Sequence, residues 1–376
     1  MDFIKTLKKK TEAKISDIKS EFKDSSSIPR LKPNFDYEAL QIAIDCGPYM
    51  YEYYYEMDFD LTHFLKRYNF LYPTANIDES KLLATQLETI AKMREQLLAM
   101  PIVEHVSQAT QTKRSKLHSQ QPVKEITLEE IYYCNDLILF RFLRSYDYKV
   151  EKSLNLLLKT LSWRRTRDPL RLPPERVEQS VCKNMLYRRG FDYFACPLIY
   201  FRPVNETPIS FEIHVLALYY TLERALQTCI LTQGNDKVYV IVDLKDWSLT
   251  RLPPMDLVLE TARAIVEHYT ETVDEILFVD PPPMTDAVFQ MVKCVIPTST
   301  AKKLSFKSRG PKLFQYLKDR IPPCFLEKSL GGDCDPDPDH KVYWKIEESQ
   351  YKYFQDKVDQ WIAENKHKYI KTNEDL

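Results

Sequence analysis

Glycine is nearly absent. The chain has 6 in 376 residues, where about 7% is usual. Gly47, Gly190, Gly234 and Gly310 stand alone, and only Gly331 and Gly332 are adjacent. A glycine-rich phosphate loop, Walker-type or dinucleotide-type, cannot be written anywhere in it, which excludes most nucleotide-dependent enzymes. Paired thiols are missing too. Cys46, Cys134, Cys182, Cys196, Cys229, Cys294, Cys324 and Cys334 form no CxxC, so zinc knuckles and thioredoxin-like motifs drop out. Scattered thiols of this kind read as reduced and intracellular. His63, His105, His118, His214, His268, His340 and His367 give no HxxxH spacing, and no metal site is expected. Asp335, Asp337 and Asp339 alternate with prolines and lack the distal Glu of a calcium loop, so they read as a solvated acidic turn. No GxSxG elbow is present. No apolar run approaches the length of a membrane span, and MDFIKTLKKK lacks the apolar core of a signal peptide. Charge of one sign is missing as well. Lys plus Arg is 53 and Asp plus Glu is 54, which argues against nucleic acid as a partner. The expectation is a non-enzymatic cytoplasmic protein without a cofactor.

What is present is helical first and alternating later. Ile4, Leu7, Thr11, Ile15, Ile18 and Phe22 fall on one face of a helix whose other face is lysine-rich, a pattern suited to an anionic membrane or to docking on its own protein. Ser25 to Ser27, Pro29 and Pro33 mark a linker. An aromatic block from Tyr49 to Tyr72 reads as core or a docking face. Asp78, Glu79 and Ser80 open a helix with the stripe Leu83, Leu87, Ile90, Met93, Leu97 and Leu98, ended by Pro101. Residues 105 to 124 are polar without an apolar period and read as a flexible joint. Thr127 and Glu130 have the spacing of a capping box. Strand-like runs then recur at 197–202, 238–244, 275–279 and 303–306, with helix-length segments at about 210–230, 255–269 and 285–296 between them. Such alternation predicts an α/β unit with a largely parallel sheet. A last helix is expected over about 346–370.

From about residue 136 to 335 the chain resembles the CRAL-TRIO lipid-binding family, most of all its yeast-type phosphatidylinositol/phosphatidylcholine transfer branch. The resemblance rests on five ordered segments. Phe140-Arg141-Phe142-Leu143-Arg144, Val150 and Trp163-Arg164-Arg165 resemble the family's N-terminal helical motif. CPLIYFRP at 196–203 is similar to its first-strand motif, with Cys196 where Arg is usual. VIVDLKDWS at 240–248 resembles the central strand and turn, and IPPCFLEKSLGG at 321–332 the closing segment. The segment around 285–296, bounded by prolines, resembles the family's gate helix.

This resemblance implies an α/β CRAL-TRIO lipid-binding domain with a mostly parallel curved sheet, preceded by helical N-terminal segments. The implied division is a helical N-terminal region (1–104), a linker (105–125), CRAL-TRIO N-terminal helices (126–185), the lipid-binding domain (186–335) and a C-terminal helix (336–376). It also implies a pocket in place of an active site. A two-chain phospholipid carries on the order of 30 methylenes, at about 0.8 kcal/mol each out of water, so a carrier must supply an apolar cavity with a door. The implied pocket and gate residues are Val288, Met291, Val292, Val295, Ile296, Tyr200 and Val240. The implied head-group residues are Glu271, Thr300 and Lys303. Lys303 would neutralise a phosphodiester, Thr300 donate to it and Glu271 accept from ring hydroxyls. Lys302, Lys303, Lys307, Arg309 and Lys312 would face anionic lipid near the gate. The family's basic pair after Phe-Leu-Arg is here Tyr146 and Asp147, and Val238 and Val240 stand where choline-lipid exchangers show small hydroxyl residues. The expectation is a monomer that binds phosphatidylinositol, meets membranes transiently and serves a lipid kinase or trafficking partner. A carrier of a sterol, tocopherol-like molecule or retinoid, and a non-transferring scaffold, are the alternatives.

Overall fold

The computed structural model describes residues 60–74, 78–104, 121–180, 184–231, 234–283, 285–335 and 340–370. The amphipathic segment 1–23, the linker at 25–33, the aromatics before residue 60 and most of the polar joint lie outside the described residues.

Asp60 caps helix α1 (Leu61–Leu71) by accepting from the backbone N–H groups of Thr62 and His63. The described part of the aromatic block is thus helical, and its Phe64 and Tyr68 are core residues. Helix α2 (Glu79–Leu98) is capped by Asp78. Its buried stripe differs from the expected one: Leu82 and Gln86 point inward, while Leu83 and Leu87 are half-buried. The reason is a reciprocal amide pair, in which Gln86 and Asn69 exchange bonds of 3.0 and 2.9 Å. A buried amide satisfied this way costs little.

Strands β1 (Ile102–Val103) and β2 (Ile126–Thr127) pair in parallel. Helix α3 (Leu128–Tyr133) starts with the expected capping box. Thr127 N–H donates to Glu130 at 2.8 Å, and Glu130 N–H donates to Thr127 Oγ1 at 3.3 Å. Helices α4 (Asp136–Ser145) and α5 (Val150–Arg167) follow. Leu139, Phe140, Phe142, Leu143, Leu157 and Leu161 bury against Phe64, Ile90 and Met93 in one helical core.

The main sheet has the order β3 (Leu186–Phe191), β4 (Pro197–Phe201), β5 (Val238–Asp243), β6 (Val273–Val279) and β7 (Leu304–Lys307). Only β3 runs antiparallel to its neighbour. The crossovers are α6 (Phe211–Leu226), α7 (Met255–His268), and the pair α8 (Thr285–Lys293) and α9 (Thr298–Ala301). Helix α10 (Pro311–Arg320) and the long α11 (His340–Tyr369) complete the chain. All of β5 is buried, as expected for a central parallel strand covered on both faces.

The pleat divides the side chains into two layers. Tyr200, Ile241 and Leu277 lie level across three strands and pack with Leu313 and Leu317 of α10 and with Phe325. Ile199, Val240 and Ile276 form the next row, on the opposite face beneath α6 and α7.

Candidate functional site

The two faces of the sheet are finished differently. On the α10 face the apolar side chains are almost all buried. On the other face Val215, Leu216, Leu218, Ile265, Ile276 and Phe278 are only partly covered. Helix α7 buries just Ala264 and His268 fully, although Leu257, Val258, Ala262, Ile265 and Val266 are apolar. An apolar layer left half-covered inside a fold marks a place where something else can pack.

Helix α8 borders this layer. Phe289, its one buried residue, meets Phe306 edge-on at 5.1 Å, and Phe306 stacks on Phe278 at 5.0 Å. Val288 and Val292 are half-buried on the same helix, and Met291 is 44% exposed. Val295 and Ile296 fall in the turn after α8 and are half-buried. The helix therefore ends three residues earlier than its sequence pattern predicts, and Phe289, absent from the predicted gate set, is its anchor. Val240 is buried on this same face of the sheet. Tyr200 is not. It lies on the α10 face, stacked on Tyr187 at 5.5 Å, and its hydroxyl donates to Phe325 O at 2.6 Å. The period of two in β4 sends Ile199 toward α6 and Tyr200 away from it.

Glu271, Thr300 and Lys303 come together at the amino ends of β6 and β7. They line one cavity of about 220 Å³, shared with Ser145, Tyr146 and Tyr269. Lys303 Nζ lies 3.2 Å from Glu271 Oε2, and both side chains are mostly buried. Lys303 N–H donates to Thr300 O at 3.0 Å, which fixes the turn from α9 into β7. Burial, with Lys237 and Arg144 close by, holds the Lys303 ammonium below the usual lysine range despite Glu271. Burial alone would raise the Glu271 carboxyl; Lys303, Arg144 and Lys237 outweigh it and hold it low.

Arg144 and Lys237 were not among the predicted site residues. Arg144 donates to Glu271 O at 3.2 Å and shares Asp236 with Arg141. Glu271 has φ 57°, a left-handed conformation unusual for its residue type, and the Arg144 bond braces it. Lys237 Nζ sits 3.6 Å from the centre of the Tyr72 ring, and burial pushes its pKa down. The sequence signal was the pair Arg141 and Arg144 inside an otherwise apolar helix. Charges there need a buried partner, but nothing local says that the partner is Asp236.

Residues 183–332 match the profile of the CRAL/TRIO domain, and the α/β architecture, a mixed sheet with flanking helices, is the fold of that family. The chain is 22% identical over 227 residues to a CRAL-TRIO domain-containing protein of Schizosaccharomyces pombe, covering 60% of this chain and 22% of that protein. It is 24% identical over 221 residues to phosphatidylinositol transfer protein SFH5 of Kluyveromyces lactis, covering 53% and 68%. It is also 23% identical over 252 residues to an alpha-tocopherol transfer protein-like protein of Pongo abelii, covering 65% and 70%. The chain thus spans about a fifth of the first relative and about two thirds of the other two. The crystal structure of Sfh5 superposes with a TM-score of 0.48 at 17% identity, over 69% of this chain and 91% of that one.

Proposed function

We propose that this protein binds phosphatidylinositol, shields its acyl chains between the half-covered sheet face and helices α6 to α8, and exchanges it at membranes. The observation that carries the proposal is the half-buried Lys303–Glu271 pair beside the apolar layer, next to Thr300. On lipid entry the phosphodiester takes Lys303 as its partner, and Glu271 is released to accept from inositol hydroxyls. Thr300 Oγ1 supplies a further donor. Helix α8, held by a single buried aromatic, is the door. The neighbouring lysines favour an anionic leaflet, and the cargo passes to another membrane or to a lipid kinase. No described helix is long and apolar enough to cross a membrane, so contact is peripheral in this reading.

The test is transfer of labelled phosphatidylinositol between vesicles. A hydrogen bond to a charged group is worth about 1.5–3 kcal/mol, so Lys303→Ala is expected to reduce transfer by about tenfold to a hundredfold. Wild-type rates in Lys303→Ala refute the head-group assignment. One observation favours a second reading, a carrier of a neutral hydrophobic molecule: Tyr146, at one of the two positions (146 and 147) where the resemblance implies a basic pair, lines the cavity. Mass spectrometry of the lipid that co-purifies separates the two.

A further inference from the structure

A second cavity lies on the other side of Tyr269 and Thr270, which line both it and the Glu271 site. It encloses about 670 Å³, within the about 300–1,000 Å³ of small-molecule sites. Its remaining walls come from α3, α4, the end of α6 and residues 354–369 of α11, with Asp60 and His63 at the start of α1, Arg94 of α2 and His268 at the end of α7.

The wall chemistry is specific. Ile138, Phe142, Leu226, Val358 and Trp361 make it mainly apolar. Its ionic groups are already matched. Arg141 pairs with Asp236 at 3.0 Å, Glu223 with Arg164 at 2.7 Å, and Arg94 with Asp136 at 2.5 Å. Asp60 is engaged as the cap of α1. His268 is neutral at physiological pH, its pKa lowered by burial to about 3. Among the described lining residues neither arginine lacks a carboxylate partner, so an entering phosphate would lose its hydration uncompensated. Two polar atoms of the lining are left over among the described residues, and one is the Tyr269 hydroxyl, beside the already paired Glu223. The other, Gln227 Oε1, at the end of α6, is buried and accepts no hydrogen bond. A buried acceptor beside apolar walls calls for a donor carried on an apolar body.

We propose that this cavity binds a neutral amphiphile, a single apolar body bearing one hydroxyl or amide N–H that donates to Gln227 Oε1. It is a ligand class different from the phospholipid of the Glu271 site, and the site stands whether or not that reading holds.

The test uses the full chain and a photoreactive hexadecanol carrying an alkyl diazirine, with the matching hexadecane as its comparison. Cross-linked peptides are mapped by mass spectrometry. Saturable labelling of α3, α4 and α11 is expected, undiminished by phosphatidylinositol vesicles. Gln227→Leu is expected to weaken alcohol labelling about fivefold to tenfold, the worth of one neutral hydrogen bond, and to leave alkane labelling unchanged. Leu226→Trp, which fills the cavity, should abolish both. Phosphatidylinositol transfer is read in parallel and should be unaffected in either variant. Labels confined to α7, α8 or β5, labelling abolished by phosphatidylinositol, or no saturable labelling of the wild type overturns the proposal. The wild-type map decides even if a variant fails to fold.

Discussion

Asp236 is where the helical layer and the sheet are most dependent on one atom pair. Its carboxylate is fully buried and takes Arg141 Nε at 3.0 Å and Arg144 at 3.0 and 3.2 Å. Arg141 also donates to Asp236 O at 2.9 Å. Replacement by Asn keeps the shape and one acceptor but removes the only full negative charge bonded to both guanidiniums. Breaking a buried pair from one side costs about 3–5 kcal/mol, because the partner is left buried and uncompensated. With a urea m-value of about 3 kcal/mol/M, Asp236→Asn should lower the unfolding midpoint by about 1–1.7 M. Burial alone would raise the Asp236 pKa; Arg144, Arg141 and Lys237 outweigh it and hold it below the usual carboxylate range. A depressed folded pKa gives stability that is present above about pH 4, the unfolded value, and is lost as pH falls through the folded one. The gap between wild type and Asp236→Asn should therefore close in acid. Urea titrations at neutral and acid pH decide it. A shift of less than about 0.3 M at neutral pH, or a gap constant with pH, would refute the account of this triad. The more accessible pair Arg94–Asp136, with side chains 33% and 37% exposed, serves as a control, since a surface pair contributes at most about 1 kcal/mol.

His268 stacks on Trp163 at 4.6 Å, and its Nδ1 is hydrogen-bonded to Thr160 Oγ1 at 3.0 Å. Burial lowers its pKa from 6.5 to about 3, so the unfolded chain takes up a proton first as pH falls. At about 1.4 kcal/mol per pH unit, stability should drop by about 2 kcal/mol from pH 7 to pH 5, and His268→Gln should flatten that slope in urea titrations. Gly234 has φ 80°, and a Cβ there would run into the backbone of Arg67 and Tyr68. Gly234→Ala should destabilise by about 2–4 kcal/mol, and thermal melts at wild-type level would count against the close approach of α1. Phe289→Ala removes the anchor of α8 and should raise hydrogen exchange over residues 285–293, with the exchange of β5 unchanged. Equal protection in both proteins would mean that α8 is held by something else.

The parallel strands were legible because each is a short apolar run next to a helix-length segment, and VYVIVD and EILFV need no side-chain detail to be recognised. Strand β3 was not. LYRRGF carries two arginines and a glycine, and its register shifts between Arg188 and Phe191. Its Arg188 is buried only because Glu347 of α11, at 2.6 Å, comes from far along the chain. Helix α1 hid in a block too aromatic to show a period, and α10, which follows a glycine and opens on a proline, was assigned no element from the sequence. Of the site, the grouping of Glu271 with Lys303 was implied by the family resemblance, whereas the Arg144 brace depends on a contact between residues 127 apart in the chain. Tyr200 and Val240 were both implied as pocket residues by the resemblance, and only the pairing register shows that they point to opposite sides.

The two-residue ladder of Ile102 with Ile126 and Val103 with Thr127 holds both ends of the stretch between them. Helix α2 on one side of that stretch packs on α4 and α5 on the other. Cutting the chain between residues 105 and 120 should therefore give two fragments that stay together through size exclusion and part only in denaturant. Flexible Gly/Ser insertions there should be tolerated, since each doubling of a loop costs about 0.6 kcal/mol. A reporter or a tether grafted there leaves the five-stranded sheet and its crossover helices untouched.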